Sequence, residues 1–151
     1  MSNVVISDSI KYIGADDTTL DLFESQYQIP HGVSYNSYVI LDEKIAVMDT
    51  IDARKGDEWM ANLETVLAGR TPDYLVISHL EPDHAANIKR LADHFPEMKL
   101  VLSAKAKAML PQFFDIANLN DRCITVAEGN ELELGSHKLK FFMAPMVHWP
   151  E

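Results

Sequence analysis

Ser78-His79-Leu80-Glu81-Pro82-Asp83-His84 follows directly on the apolar run Tyr74-Leu75-Val76-Ile77. That run is bounded by Pro72-Asp73 on one side and by the polar cluster on the other, which predicts a buried strand with the cluster in the loop at its C-terminal end. A loop presented by a rigid strand is a common seat of binding and catalytic groups. Here it carries two imidazoles and two carboxylates within six residues. In extended backbone, alternate side chains share a face, so His79, Glu81 and Asp83 can converge before the chain turns. Their donor types suit a metal ion. A single exposed His-x-Glu would read as a solvated polar loop, but four metal-capable groups this close together favour ligation.

The flanking segments predict an α/β domain. Ser9 to Gly14 alternates weakly and reads as an edge strand; Tyr35 to Leu41 and Ile45 to Thr50 read as two strands of a hairpin closed by Asp42-Glu43-Lys44. Asp49 ends the second strand as His79 follows the next one. From Gly56 to Ala68 the apolar residues Trp59, Leu63, Val66 and Leu67 recur at helical spacing, with Asp57 and Glu58 on the first turn and Gly69 as the stop. A second helix is expected from His84 or Ala85 to Pro96, burying Ile88, Leu91, Ala92 and Phe95. Asp83 would then sit at its N-terminus, where backbone N–H groups favour the ionised carboxylate; a plain N-cap explains the residue equally well. His94 reads as a surface group at the helix end. Lys99 to Ser103 reads as a strand, and Ser103 as the cap of a third helix with a stripe of Ala106, Met109, Leu110 and Phe113. Such alternation implies parallel strands with right-handed crossovers. Ile124-Thr125-Val126 and a final pair of alternating runs turning at Gly135-Ser136 complete the chain, with His137 expected to be exposed.

Composition narrows the function. With 47% hydrophobic and 24% charged residues, the 151-residue chain reads as one globular domain. Thirteen basic against 23 acidic residues leave a formal charge of −10, which disfavours nucleic acid and anionic membranes. No apolar run approaches the ~18 residues of a membrane span, and Met1-Ser2-Asn3-Val4-Val5 does not open a signal peptide, so a cytoplasmic location is expected. The lone Cys123 excludes an intramolecular disulfide and reads as a small buried apolar residue. There is neither a Gly-rich phosphate loop nor a Gly-x-Ser-x-Gly elbow to support nucleotide hydrolysis or serine-esterase chemistry.

The pattern His79-x-Glu81-x-Asp83-His84 resembles the metal motif of flavodiiron proteins, oxygen and nitric oxide reductases built on a metallo-beta-lactamase-like domain followed by a flavodoxin-like domain. Gly32-Val33-Ser34-Tyr35-Asn36-Ser37-Tyr38 and His148-Trp149-Pro150 resemble two further stretches of that family, although the last usually continues with aspartate where Glu151 stands. The resemblance implies the first half of a metallo-beta-lactamase-like αβ/βα sandwich. It implies that His79, Glu81 and His148 bind one iron and that Asp83 and His84 bind a second, His84 being the least secure. It also places Asp49 near the metals as a carboxylate that orients a ligand, a reading weighed equally against a simple turn cap. Two iron ions would reduce dioxygen to water or nitric oxide to nitrous oxide, resupplied by FMN on the flavodoxin-like domain from a rubredoxin-like or flavin donor, in a homodimer or homotetramer.

The family pattern also requires a bridging aspartate, a last histidine and the flavodoxin-like domain, none of which lies within residues 1–151. The expectation is therefore a metal domain truncated after His148-Trp149-Pro150, one sheet face bare, holding iron poorly and inactive alone. One alternative is a zinc hydrolase of the metallo-beta-lactamase type, which resembles this chain but carries histidine at the position of Glu81. A carboxylate there favours a harder ion and the oxidised state of iron. Another alternative is a non-catalytic remnant acting as an interaction module.

Overall fold

A computed structural model describes residues 4–23 and 25–151. Its strands are β1 (Ile10–Tyr12), β2 (Ala15–Asp17), β3 (Leu22–Phe23), β4 (Tyr27–Gln28), β5 (Val33–Tyr35), β6 (Tyr38–Ile40), β7 (Ala46–Met48), β8 (Tyr74–Ile77), β9 (Lys99–Ser103), β10 (Cys123–Val126), β11 (Glu131–Glu133) and β12 (Lys138–Lys140). Its helices are α1 (Gly56–Leu67), α2 (Pro82–Ala85), α3 (Ile88–His94), α4 (Ala104–Met109) and α5 (Leu119–Arg122). The main sheet has the order β1-β6-β7-β8-β9-β10. β1, β6 and β7 are antiparallel neighbours, whereas β7 to β10 run parallel. The helical crossovers inferred from the alternating pattern are therefore present, and β1 is an edge strand as its weak alternation implies.

Register sorts the core by face. Val47, Leu75 and Leu100 stand in one cross-strand row and pack under the helices with Trp59, Leu63, Ile88 and Leu91. Met48, Val76, Val101 and Ile124 form the neighbouring row on the opposite face, where Leu132 and Leu139 of the β11–β12 hairpin pack against them. The face without helices is thus partly covered rather than bare. On α1, Trp59, Leu63 and Leu67 are buried at i, i+4 and i+8. Each removes enough apolar surface from water to stabilise the fold by roughly 1.5–3 kcal/mol. The helix ends at Ala68 in the left-handed region, followed by Gly69, also at positive φ.

The structure departs from sequence expectation where tertiary hydrogen bonds redirect the chain. The run from Tyr35 to Leu41 is two strands, not one: β5 pairs with β2 in a small separate sheet, and β6 joins the main sheet. The break falls at Asn36-Ser37, where buried Ser37 donates its hydroxyl to Asp49 O (2.9 Å) and accepts from Ile13 N–H (2.9 Å). Beside it the backbone at Gly14 passes so close to Tyr35 O that no Cβ fits.

The single helix expected from His84 to Pro96 is also divided. α2 begins earlier, with Pro82 at its first position, a role its fixed φ suits. Buried Asn87 then interrupts the helix, because its side chain donates to Ile51 O (2.7 Å) and Asp52 O (3.3 Å). Ser103 caps α4 by accepting from Ala106 N–H (3.0 Å), but the chain tightens at Leu110–Gln112 and Phe113 is left 50% exposed, outside the expected stripe. His137 is half-buried rather than exposed. Its Nδ1 contacts Asp42 Oδ2 (2.5 Å) and its Nε2 contacts Ser9 Oγ (3.0 Å), tying the first hairpin, the N-terminal segment and the last turn together. Cys123 is partly buried against the core, which pushes its thiol pKa up. His94 lies on the surface 3.6 Å from Glu64. No helix among the described residues is long and apolar enough to cross a membrane.

Candidate metal centre

The parallel strands β7 and β8 end side by side, and the loops leaving them interlock. Asp49, at positive φ just after β7, donates its N–H to Val76 O (2.9 Å), while its Oδ1 accepts Ser78 N–H (2.7 Å). Thr50 donates both its N–H (2.9 Å) and its hydroxyl (2.7 Å) to His84 O, and its Oγ1 accepts Asn87 N–H (3.3 Å). The loop rich in ligands is therefore held by a buried frame on its neighbour. Neither Thr50 nor Asn87 stood out in the sequence, since a lone threonine or asparagine carries no periodic or motif signal.

On that frame three side chains come together. His79 Nε2 lies 3.0 Å from Glu81 Oε2, and His148 Nε2 lies 3.5 Å from the same oxygen. One ligand atom from each of His79, Glu81 and His148 lies within 4.8 Å of the others. Glu81 is 9% exposed at its side chain and His148 58%, so the group opens toward solvent on the His148 side. Trp149 packs against the core and sets its indole edge-to-face with His79, centroids 5.6 Å apart, which docks the C-terminal segment. Glu151 is folded inward. Its Oε1 accepts Leu80 N–H (2.7 Å) and lies 3.1 Å from His79 Nδ1, and its side chain is 1% exposed. Only its place beside the His148-Trp149-Pro150 stretch distinguished Glu151 in the sequence.

Asp83 and His84 stand beside this group rather than in it. The His84 ring meets that of His79 edge-to-face at 5.4 Å, and its Nε2 lies 3.6 Å from Asp83 Oδ2. His84 Nδ1 is 3.4 Å from Asp49 Oδ2, within ion-pair reach but without hydrogen-bond geometry. The Asp49 carboxylate, against the opposing effect of burial, raises the His84 pKa, with Asp83 and Glu81 adding to the rise. Asp49 is thus placed both to pin the loop and to face a candidate ligand. Burial pushes the Asp83 carboxyl up, contrary to the ionising influence expected from a helix N-terminus: α2 is a single turn, and Asp83 Oδ1 is buried without a hydrogen-bond partner among the described residues. A buried carboxylate oxygen without a partner is a cost that a cation would offset.

The donor set fits iron. Two imidazole nitrogens and a carboxylate oxygen converge, and a second carboxylate with an adjacent imidazole stands alongside. An open cleft of ≈ 250 Å³, lined in part by Leu22, Phe23, Asp52, Arg54 and Asp83, reaches Glu81. A larger hollow lies at the other end of β8 and β9, around Tyr74 and Lys99, away from these groups.

A parallel βα array carrying histidines and carboxylates in the loop after a central strand is the arrangement of a metallo-beta-lactamase-like domain. Residues 33–151 match the ODP family beta lactamase. The chain is 31% identical to the flavo-diiron protein FprA2 of Clostridium acetobutylicum over all of its length and 38% of that protein. It is 32% identical to a nitric oxide reductase of Moorella thermoacetica, over 98% of this chain and 37% of that one. Among solved structures, the flavodiiron protein of Giardia intestinalis superposes with a TM-score of 0.88 at 27% identity, over 96% of this chain and 35% of that one. The rubredoxin oxygen:oxidoreductase of Desulfovibrio gigas superposes with a TM-score of 0.85 at 31% identity, over 97% of this chain and 36% of that one. The chain belongs to the flavodiiron protein family and corresponds to the beta-lactamase-like N-terminal part of its members. It spans 35–38% of the length of these four relatives.

Proposed function

We propose that this chain supplies the first part of the di-iron domain of an oxygen or nitric oxide reductase. The convergence of His79, Glu81 and His148 carries the reading. These three would hold one iron, and Asp83 with His84 would hold the second. Bound there, a ferrous pair would supply two electrons, enough to take two nitric oxide molecules to nitrous oxide and water, and the four electrons for dioxygen to water would require resupply through FMN. Glu81 contributes a hard anionic oxygen that favours iron and its oxidised state, where an imidazole would favour zinc. Asp49 and Thr50 keep the Asp83–His84 turn in register with His79. Leu22 and Phe23 give the adjoining cleft an apolar wall, suited to a small uncharged gas. The names of the Moorella thermoacetica and Desulfovibrio gigas relatives support the substrate pair. We assign the remaining iron ligands, the FMN and the contact with a rubredoxin-like or flavin donor to the part of those relatives beyond the matched region, in a homodimer or homotetramer.

The test is metal content by plasma mass spectrometry on protein purified anaerobically, comparing this chain with one extended to the length of its relatives. An iron pair in the extended chain and little iron in this one is the expected result. Zinc predominating in both would replace the reading with a hydrolase. Glu81→His should shift the iron-to-zinc affinity ratio toward zinc, and an unchanged ratio would remove Glu81 from the ligand set.

A further inference from the structure

Glu151 lies on the far side of His79 from the converging ligand atoms. The two ring nitrogens of His79 lie beside two different carboxylates: Nε2 hydrogen-bonds Glu81 Oε2 within the candidate metal group (3.0 Å), and Nδ1 lies 3.1 Å from Glu151 Oε1, within ion-pair reach though outside hydrogen-bond geometry. We propose that Glu151 is a positioning residue that keeps the proton on His79 Nδ1 and so leaves Nε2 as the ligand atom. This rests on the metal reading above.

Three observations carry it. First, a metal-bound imidazole keeps one N–H, and the acceptor of that N–H fixes both the tautomer and the ring orientation. Glu151 Oε1 is the carboxylate oxygen beside Nδ1. Second, the Glu151 side chain is 1% exposed, its Oε2 has no hydrogen-bond partner among the described residues, and its Oε1 has one amide donor. A buried carboxylate with so little compensation is costly unless a proton donor or cation stands against it, and the imidazole is that group. Third, the amide that Oε1 accepts belongs to Leu80, which is buried and lies between His79 and Glu81. One carboxylate therefore anchors the backbone between two ligands while orienting the ring of the first. The carboxylate also follows His148 and Trp149 closely in sequence, so folding it inward brings His148 up to the group.

Zinc serves as the probe, added to the metal-free 151-residue chain, with affinity measured by competition against a chromophoric chelator. Glu151→Ala should weaken zinc binding about 10–100-fold, the usual consequence of losing a carboxylate behind a ligating histidine. Glu151→Gln keeps an acceptor for Leu80 N–H but loses the charge, so it should fall between the two. In the zinc-loaded wild type, ¹⁵N-resolved NMR should find the His79 proton on Nδ1, hydrogen-bonded and slow to exchange; in Glu151→Ala that proton should exchange fast. A purely structural anchor would lower thermal stability without moving the exchange rate in the Gln variant relative to wild type. If wild type binds zinc and Glu151→Ala binds it equally well, or if the proton sits on Nε2, the assignment of Glu151 is wrong and the metal site survives. If neither this chain nor one extended to the length of its relatives binds zinc or ferrous iron, the metal reading falls and the role of Glu151 falls with it.

Discussion

Thr50→Val isolates the frame that holds the metal loop. Thr50 is fully buried, and valine replaces its hydroxyl with a methyl of nearly the same size, so no cavity opens. Two hydrogen bonds go: the hydroxyl to His84 O (2.7 Å) and Asn87 N–H to Oγ1 (3.3 Å). His84 O keeps the Thr50 N–H (2.9 Å), so its loss is partial, about 1 kcal/mol for a net protein hydrogen bond. The buried Asn87 amide loses its acceptor, which costs about 1–3 kcal/mol. The expected destabilisation is therefore about 2–4 kcal/mol, or a fall in Tm of roughly 4–16 °C for a domain of this size. Urea denaturation followed by tryptophan fluorescence reads it directly, because Trp59 lies in the same core. Thr50→Ser, which keeps the hydroxyl and removes a methyl, should cost about 1 kcal/mol. If valine leaves the urea midpoint within error of wild type while serine lowers it, the hydroxyl is not what holds His84 and Asn87.

Arg122 is buried and donates to Met98 O (3.1 Å), Ala92 O (3.0 Å) and Phe95 O (2.9 Å), closing the end of α3 onto β9. Arg122→Met strands those acceptors and should cost about 3–5 kcal/mol in urea unfolding; a loss under about 1 kcal/mol would mean water replaces the guanidinium. The hydrogen bond from His137, reinforced by the amides of Glu43, Ser136 and His137 against burial, holds the Asp42 carboxyl well below the usual carboxylate range. Its contribution should thus be complete above the unfolded value near ~4 and should disappear as pH falls through the depressed folded value. Urea midpoints of wild type and Asp42→Asn should accordingly differ more at pH 7 than at pH 2, and equal differences at both would contradict the hydrogen bond from His137 to the Asp42 carboxylate. Gly14→Ala should cost about 1–3 kcal/mol by forcing a Cβ onto Tyr35 O, measurable as a lowered Tm.

What could be read from the sequence is what depends on local pattern. Tyr74–Ile77 as a buried strand, the α1 stripe of Trp59, Leu63 and Leu67, the hairpin around Asp42-Glu43-Lys44 and the Ser103 cap each arise from residues within a few positions of one another. Three of the misses involve distant partners. Asn87 breaks a helix because Ile51 and Asp52 offer carbonyls, Ser37 redirects a strand because Asp49 accepts from it, and His137 turns inward because Asp42 waits there. No window of ten residues contains those pairs. The candidate site divides the same way. His79 and Glu81 were legible from their spacing after a strand, and His148 only through the family resemblance. The buried carboxylate of Glu151 against Leu80 and His79 required the folded chain.

The contact between Asp42 and His137 spans 95 positions of the chain. A ribosome adding about 5–20 residues per second needs roughly 5–20 s to cover that distance. For that interval the first hairpin has been made, yet the imidazole that its turn carboxylate binds has not been synthesised. Covering of the face beside the antiparallel edge is therefore a late event in the life of the nascent polypeptide, and Ile10, Ile40 and Ala46 stay uncovered there until Leu132 and Leu139 arrive.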